Sequence, residues 1–547
     1  MPQPSPAMEN SYASYAEYPT NLLWKNTSNF VIDSQHRKFE RLDAAPYHVL
    51  SKDEVRLFYM DISNGLLAKD GITTDRKLTE WLGIDPSFSS GSTSSSVAST
   101  IRSSGSDSEK LQHFLKPDPQ CRVVFLGCNG NSRDTLKITK AMLAKILTFH
   151  QVTPRYLEFL DAFGFQIQQK NLHFTGFCEY ISVGGPTSPV ADASLGRSGK
   201  FFQLCYNLKS TGVDTVRPQE TDDLKSKARS FRQVAVHHQF DLENGNSFWI
   251  LTHGHWDVMK EAADLLGSKG KAEDKDFRSV EASLKSSLAM HLMLCRWASE
   301  TWRDCLLELE EDVDLATEDT AHAPFKLLAP NDLIKIQELG EKTKDAVSQL
   351  KDNAGRLQDL ADFYQRLLKD DRFASRDSCK SAIDEFVGDL KYMIEDTQLR
   401  TTRAELLYQT TSDRKELANQ RLQIQSTTRM ERMSVGMYRE TIAMRVLAVV
   451  SVIYLPGSFV SGFFSTDVVK YQQGGGAQSS SSAQSAPQNS STPSKAYMGS
   501  FSDLALKRWL EVTLPLTAVT VAIALGIFVY SRRRWDMKRK DVKYSLA

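Results

Sequence analysis

The residues best suited to handling an ion lie near the end of the chain. In MRVLAVVSVIYLPGSFVSGFFSTD, residues 444–467, Ser451, Ser458 and Ser465 recur every seven residues with Tyr454 and Ser461 between them, so on a helix all five share one face. Met444 and Leu447 precede them on that face. A lone membrane helix gains nothing from hydroxyls turned to lipid, whereas several copies around an axis could turn the stripe to water. Serine also lets transmembrane helices pack closely, so the spacing admits a packing face as well as a pore face. The segment ends in Asp467, which would draw cations as part of a ring and would merely border a helix end as a single residue.

Such residues need a membrane-spanning frame. Val446–Phe464 and Val512–Tyr530 are 19 residues each without a charge, close to the roughly 20 that a helix needs to cross the hydrocarbon core. Arg445 precedes the first span and SRRRWDMKRK, with Arg532, Arg533 and Arg534, follows the second, so the positive-inside rule places both termini in the cytosol, against the weaker pull of Lys507 and Arg508. The connection QQGGGAQSSSSAQSAPQNSSTPS is low-complexity and should be solvated. Its Asn489-Ser490-Ser491 is either a glycosylation acceptor outside the cytosol or a chance pattern in a Ser-rich tract.

The rest of the chain reads as folded and soluble. Its 547 residues are 41% hydrophobic and 24% charged, with 67 basic and 67 acidic side chains, so neither charge nor motif points to nucleic acid. Seven scattered cysteines without a CxxC pair suggest reduced thiols, and the first twenty residues have neither the basic start nor the apolar run of a signal peptide.

Residues 1–115 form an aromatic-rich region that ends in a Ser-rich linker, where a domain boundary is expected. Apolar runs at 121–128, 172–181, 200–209, 230–240 and 247–253 suit strands, and TLKITKAMLAKILTFH has helical spacing, which makes 116–275 an α/β domain. A helical hairpin follows over 276–374. Asn331 to Leu455 lack proline and repeat apolar residues three and four apart, for example Ile383, Phe386, Leu390 and Met393. The expected break lies in LKDDRFASRDS, 368–378. From there one stalk helix over 375–467, about 135 Å long at 1.5 Å per residue, would continue into the membrane, the alternative being two helices joined near Thr410-Thr411. A loop (468–508), a second span (509–531) and a basic tail (532–547) complete the chain. The fold class is thus an α+β cytosolic domain with long helices leading into a two-helix transmembrane hairpin.

These features carry a resemblance. The segment 444–467 resembles the first transmembrane helix of the CorA family of divalent-cation channels in its Met-basic-Val-Leu start, Pro456, the Ser458-Phe459 pair where the family has Thr-Phe, and Gly462. YSRRRWDMKRK is similar to the family's basic, Trp-containing C-terminus, and the details look closest to a fungal branch. The resemblance implies a homopentameric funnel with five copies of the first helix around a pore. It also implies an apolar gate at Met444 and Leu447, pore-facing Leu455, Ser458 and Gly462, and a cytosolic basic ring at Arg532, Arg533 and Arg534. Spacing and resemblance agree on Met444, Leu447, Ser451 and Ser458, and differ on Tyr454 against Leu455.

One departure stands out. Where the family has Gly-Met-Asn at the outer mouth, this chain has Ser465, Thr466 and Asp467, a carboxylate in place of the amide. Mg²⁺ gives up its waters reluctantly, so a polar ring can recognise it through them, and carboxylates would hold it more strongly than amides. The resemblance implies a passive channel for divalent cations, Mg²⁺ first, with no cofactor beyond the ion itself. A transport-inactive membrane scaffold and a zinc or other transition-metal transporter are the alternatives.

Three other patterns stay open. His253 and His255 could share a metal or simply end a strand. LELEEDVDLATED, 307–319, is a solvated tip or a regulatory cation site. HHQFD, 237–241, has no partnered nucleophile, and no Walker or dinucleotide motif occurs, so no enzyme is expected.

Overall fold

The computed structural model describes residues 5–24, 29–44, 48–85, 114–128, 132, 134–164, 174–183, 188–213, 229–322, 328–465 and 503–544. Helices α1 (Pro6–Ala13) and α2 (Asn29–Arg41) precede a hairpin of β1 (Leu57–Ser63) and β2 (Leu66–Ile72), followed by α3 (Asp75–Leu82). Next come β3 (Cys121–Gly127), α4 (Lys140–Phe149), α5 (Tyr156–Leu160), β4 (Phe177–Val183), β5 (Lys200–Val213), β6 (Arg229–Asp241) and β7 (Ser247–His253). Helices α6 (Asp257–Leu266), α7 (Val280–Glu300), α8 (Trp302–His322), α9 (Pro330–Leu368), α10 (Arg376–Ser465) and α11 (Asp503–Tyr544) complete the order. The chain divides into two units, Met1–Gln420 and Arg421–Ala547.

The strands make one sheet, ordered β2-β1-β3-β7-β6-β5-β4, parallel only where β3 meets β7. Apolar residues on both faces of the central strands place a core on each side. Cys121, Val123 and Phe125 of β3 join one core with Leu284 and Leu288 of α7 and Tyr364 of α9. Val124 and Leu126 join the other, with Leu143 and Leu147 of α4.

The five expected strands form, but the sheet also reaches back across the Ser-rich segment. β1 pairs with β3, so the boundary expected near residue 115 is a change of composition and not an edge of the fold. Asn64-Gly65, with φ of 52° and 78°, makes the two-residue turn of the β1–β2 hairpin, a turn whose left-handed backbone matches the twist of the strands it joins. The N-terminal aromatics Tyr12, Tyr18 and Phe39 are buried in the same core as Phe114 and Phe149.

Helix α9 ends at Leu368 and α10 begins at Arg376, with buried Phe373 anchoring the turn between them. The region expected as a helical hairpin holds α7, α8 and α9, with Thr301 alone between the first two. Helix α10 is continuous through Thr410 and Thr411, whose hydroxyls donate to the carbonyls of Leu406 and Leu407 at 2.9 and 2.8 Å. The alternative break there does not occur.

Candidate functional site

Within the second unit, α10 and α11 each contain a stretch long and apolar enough to cross a membrane. They meet where Gly457 and Ser461 of α10 face Thr513 and Trp509 of α11, and Pro456, Val460 and Thr513 are buried. Proline has no N–H, so the Pro456 turn lacks its bond to the Val452 carbonyl. Gly457 faces α11: a Cβ there would lie at ordinary contact distance, 3.8 Å from Thr513 Cγ2 and 3.9 Å from Trp509 Cζ2. Beside it the Trp509 Nε1–H donates to Ser461 Oγ at 3.0 Å.

The other side of α10 is open. Met444, Leu447, Ser451, Leu455, Ser458, Gly462 and Ser465 are all exposed in the single chain. At about 100° per residue they fall within an arc of about 80°, roughly opposite Pro456 and Val460. Tyr454 borders this arc on one side and Leu455 closes it on the other, and both are exposed, so either can flank the same seam. The Ser458 hydroxyl donates to the Leu455 carbonyl at 3.0 Å, leaving its lone pairs to the open side.

Ser461 leaves the stripe. Its hydroxyl is held by Trp509, on the flank that faces α11. Thr466, Asp467 and Asn489 lie outside the described residues. Arg532, Arg533 and Arg534 fall on α11, but their side chains lie outside what is described.

The soluble candidates resolve differently. Among the described residues no group of three or more His, Cys, Asp or Glu is placed to hold a metal. His253 is buried at the end of β7, its Nδ1 2.8 Å from the His255 carbonyl, and burial pushes its pKa down to about 4. The acidic run lies on α8, where it meets arginines. Glu308 is held by Arg229 at 2.6 and 2.8 Å, Glu310 by Arg403 at 2.6 and 2.5 Å, and Asp314 by Arg414 at 2.5 Å. These carboxylates are committed to guanidinium partners on β6 and α10, an arrangement invisible in the acidic run alone.

In HHQFD, His238 belongs to a buried chain of neutral groups. Tyr206 Oη lies 2.6 Å from His291 Nδ1, His291 Nε2 lies 3.0 Å from His238 Nδ1, and His238 Nε2 lies 3.2 Å from Ser247 Oγ. Burial drives His291 down to about 3 and His238 well below the usual imidazole range. This is a seam between the sheet and α7, with every ring nitrogen of the pair partnered.

A sequence profile of the CorA-like transporters matches residues 10–321, more than half of the chain. The chain belongs to the CorA-like transporter family. The matched segment of this CorA-like chain runs from α1 to the end of α8 and stops before α10. No curated protein matches by sequence. Among solved structures, the full-length CmaX protein is similar at 13% identity and a TM-score of 0.30, covering 76% of this chain and 89% of that one. The CorA magnesium transporter of Methanocaldococcus jannaschii is similar at 8% identity and a TM-score of 0.30, covering 86% and 97%.

Proposed function

We propose that this CorA-like protein is a passive divalent-cation channel, Mg²⁺ first, whose pore is lined by α10. The observation that carries this reading is the division of α10 into two faces. One face packs on α11, and the opposite face presents Met444, Leu447, Ser451, Leu455, Ser458 and Gly462, all exposed among the described residues. Five copies around an axis would turn that face to a water-filled path, with Met444 and Leu447 as an apolar constriction that closes by dewetting. Ser465, Thr466 and Asp467 would form the outer mouth, and Arg532, Arg533 and Arg534 a basic ring at the cytosolic side. Both termini are cytosolic in this arrangement. An inside-negative potential supplies about 2.3 kcal/mol per charge per 100 mV, so inward flow needs no nucleotide.

The Ser-Thr-Asp mouth favours a second reading, a scaffold that keeps the assembly but does not conduct. Uptake of Mg²⁺, Zn²⁺, Co²⁺ and Ni²⁺ into liposomes separates the two, with Asp467→Asn beside the wild type. Mg²⁺ flux in the wild type, altered by that substitution, supports the channel, and preference for Zn²⁺ would make it a transition-metal transporter. Flux in Asp467→Asn alone would mean a pore closed by its own mouth. Silence in both, from well-folded oligomers, would establish the scaffold.

A further inference from the structure

Of the seven cysteines, Cys178 alone is not buried. It lies on β4, the edge strand of the sheet, and its register partner on β5 is Cys205. Residues directly opposite in an antiparallel pair point to the same face, with Cα atoms about 4.5 or 5.5 Å apart depending on the hydrogen-bonding position. Both spacings lie within the roughly 4.4–6.8 Å that a disulfide spans. The two residues are direct register partners across the β4–β5 ladder, so their side chains lie on one face of the sheet. Cys205 is fully enclosed in the core formed with Tyr156 and Phe159, and Cys178 packs against the edge of that core.

We infer that Cys178 and Cys205 form a reversible internal dithiol–disulfide couple, oxidised by peroxides through Cys178. The one cysteine that is not buried stands directly across the ladder from one that is fully buried. Attack of the Cys178 thiolate on the O–O bond of a peroxide gives Cys178 sulfenic acid and releases an alcohol or water. Cys205 sulfur then attacks that sulfenic sulfur, its proton leaving with the departing hydroxide as water, and the S–S bond closes. The two electrons lost by the thiols are those that cleave the O–O bond. Burial raises the Cys205 thiol far above the ordinary range, so Cys205 acts as the resolving partner and not as the first nucleophile.

The strand position suits the closure. Opposed Cβ atoms start about 4.5–5.5 Å apart and must approach to about 3.5–4.5 Å. Among the described residues β4 is paired only with β5, so it can move toward its neighbour without breaking a second ladder. A closed bond would staple the edge strand, which α9 also holds through Arg366 to Glu179 at 2.5 Å. The inference is independent of whether the protein conducts.

The full-length chain in detergent, treated with hydrogen peroxide under native conditions, tests it by intact mass, thiol counting and peptide mapping. The expected result is loss of two hydrogens and two titratable thiols, a cross-linked pair of peptides containing Cys178 and Cys205, and full reversal by dithiothreitol. Cys205→Ser should accumulate a dimedone-reactive sulfenic acid at Cys178, and Cys178→Ser should leave all remaining thiols reduced. Oxygen addition at Cys178 in the wild type without cross-linking, no reaction at all, or a cross-link to any other cysteine would overturn the inference. Slowed amide exchange over 177–183 after oxidation, measured on the unmutated chain, keeps the test clear of folding defects in the variants.

Discussion

Trp509 holds Ser461 across the two apolar helices, its indole N–H 3.0 Å from the serine oxygen, and so removes one hydroxyl from a stripe that spacing alone assigns to a single face. A hydrogen bond between transmembrane helices contributes about 0.6 kcal/mol on average and up to about 1.7. Trp509→Phe keeps the ring and removes the donor. It should lower the stability of the helix pair by about 1 kcal/mol, read from denaturant unfolding in micelles. Ser461→Ala should add little in the Trp509→Phe background, since the partner is already gone. Additive losses would mean that the two residues act separately.

The proposed gate makes a sharper demand. Leu447 and Met444 are exposed on the arc opposite α11, so neither carries the contact between the helices. Leu447→Asp should wet the constriction and raise basal cation flux several-fold, with the unfolding midpoint close to that of the wild type. Val460→Asp is the contrast. Val460 is 4% exposed, and an unpaired carboxylate there should cost about 2–4 kcal/mol of stability and reduce yield. Equal destabilisation by both, with no change of flux from Leu447→Asp, would assign Leu447 to packing.

Much of this frame was legible in the sequence because long apolar periodicities leave little choice. The central strands are buried on both faces and read as continuous apolar runs, and the α9–α10 break falls in its cluster of turn-forming residues. The β1–β2 hairpin was also written in the chain, as Asn64-Gly65 between LFYMDIS and LLAKDGI, but the Ser-rich segment after it suggested that everything earlier was separate. Composition marks where a chain cannot pack and says nothing about which side of that stretch joins which sheet. Register is the other blind spot: Cys178 and Cys205 are 27 positions apart in sequence, and only the β4–β5 pairing brings them together. The acidic run was visible, but its arginines come from β6 and α10, where no local pattern announces them.

Those pairs give a modest prediction. Arg229 and Glu308 form a bidentate, partly enclosed contact. Arg229→Ala should cost about 1 kcal/mol, lessened by high salt. With Glu308 released, millimolar Mg²⁺ should raise the melting temperature of Arg229→Ala more than that of the wild type. No differential effect of Mg²⁺ would argue against latent cation affinity in this acidic face.

The buried histidines set the response to acid. His237 and His291 are pushed down to about 3 and His253 to about 4, while His150 and His238 lie well below the usual range, all chiefly by burial. Arg122 and Arg197 facing His150, and the contact between His238 and His291, push the same way. The unfolded chain takes up protons below about pH 6.5 that the folded chain refuses. Stability is therefore fully present above about pH 6.5 and falls as pH drops toward the folded values, by up to about 1.4 kcal/mol per pH unit for each histidine. Melting followed by circular dichroism from pH 7.5 to 5 should show a steep loss below 6.5, shallower in His291→Gln. A flat profile across that range would mean that the rings can be charged in place, and so that water reaches the seam beneath α7.

Gly457 offers the last and most local test of the two-faced helix. A methyl group at this position would meet Thr513 and Trp509 at ordinary contact distance, 3.8 and 3.9 Å. Gly457→Ala should therefore be tolerated, and the gain in helix propensity, about 1 kcal/mol in water, should leave it neutral or slightly stabilising. Gly457→Leu extends a bulky side chain from a Cβ already in contact with Thr513 and Trp509, and should push α11 away and weaken the Trp509–Ser461 hydrogen bond. The measurement is a cysteine cross-linking pair placed at Val460 and Thr513, which should link efficiently in the wild type and Gly457→Ala and poorly in Gly457→Leu. If the wild type itself fails to link, α10 and α11 do not meet along this face, and the assignment of the opposite face to the pore loses its geometric support.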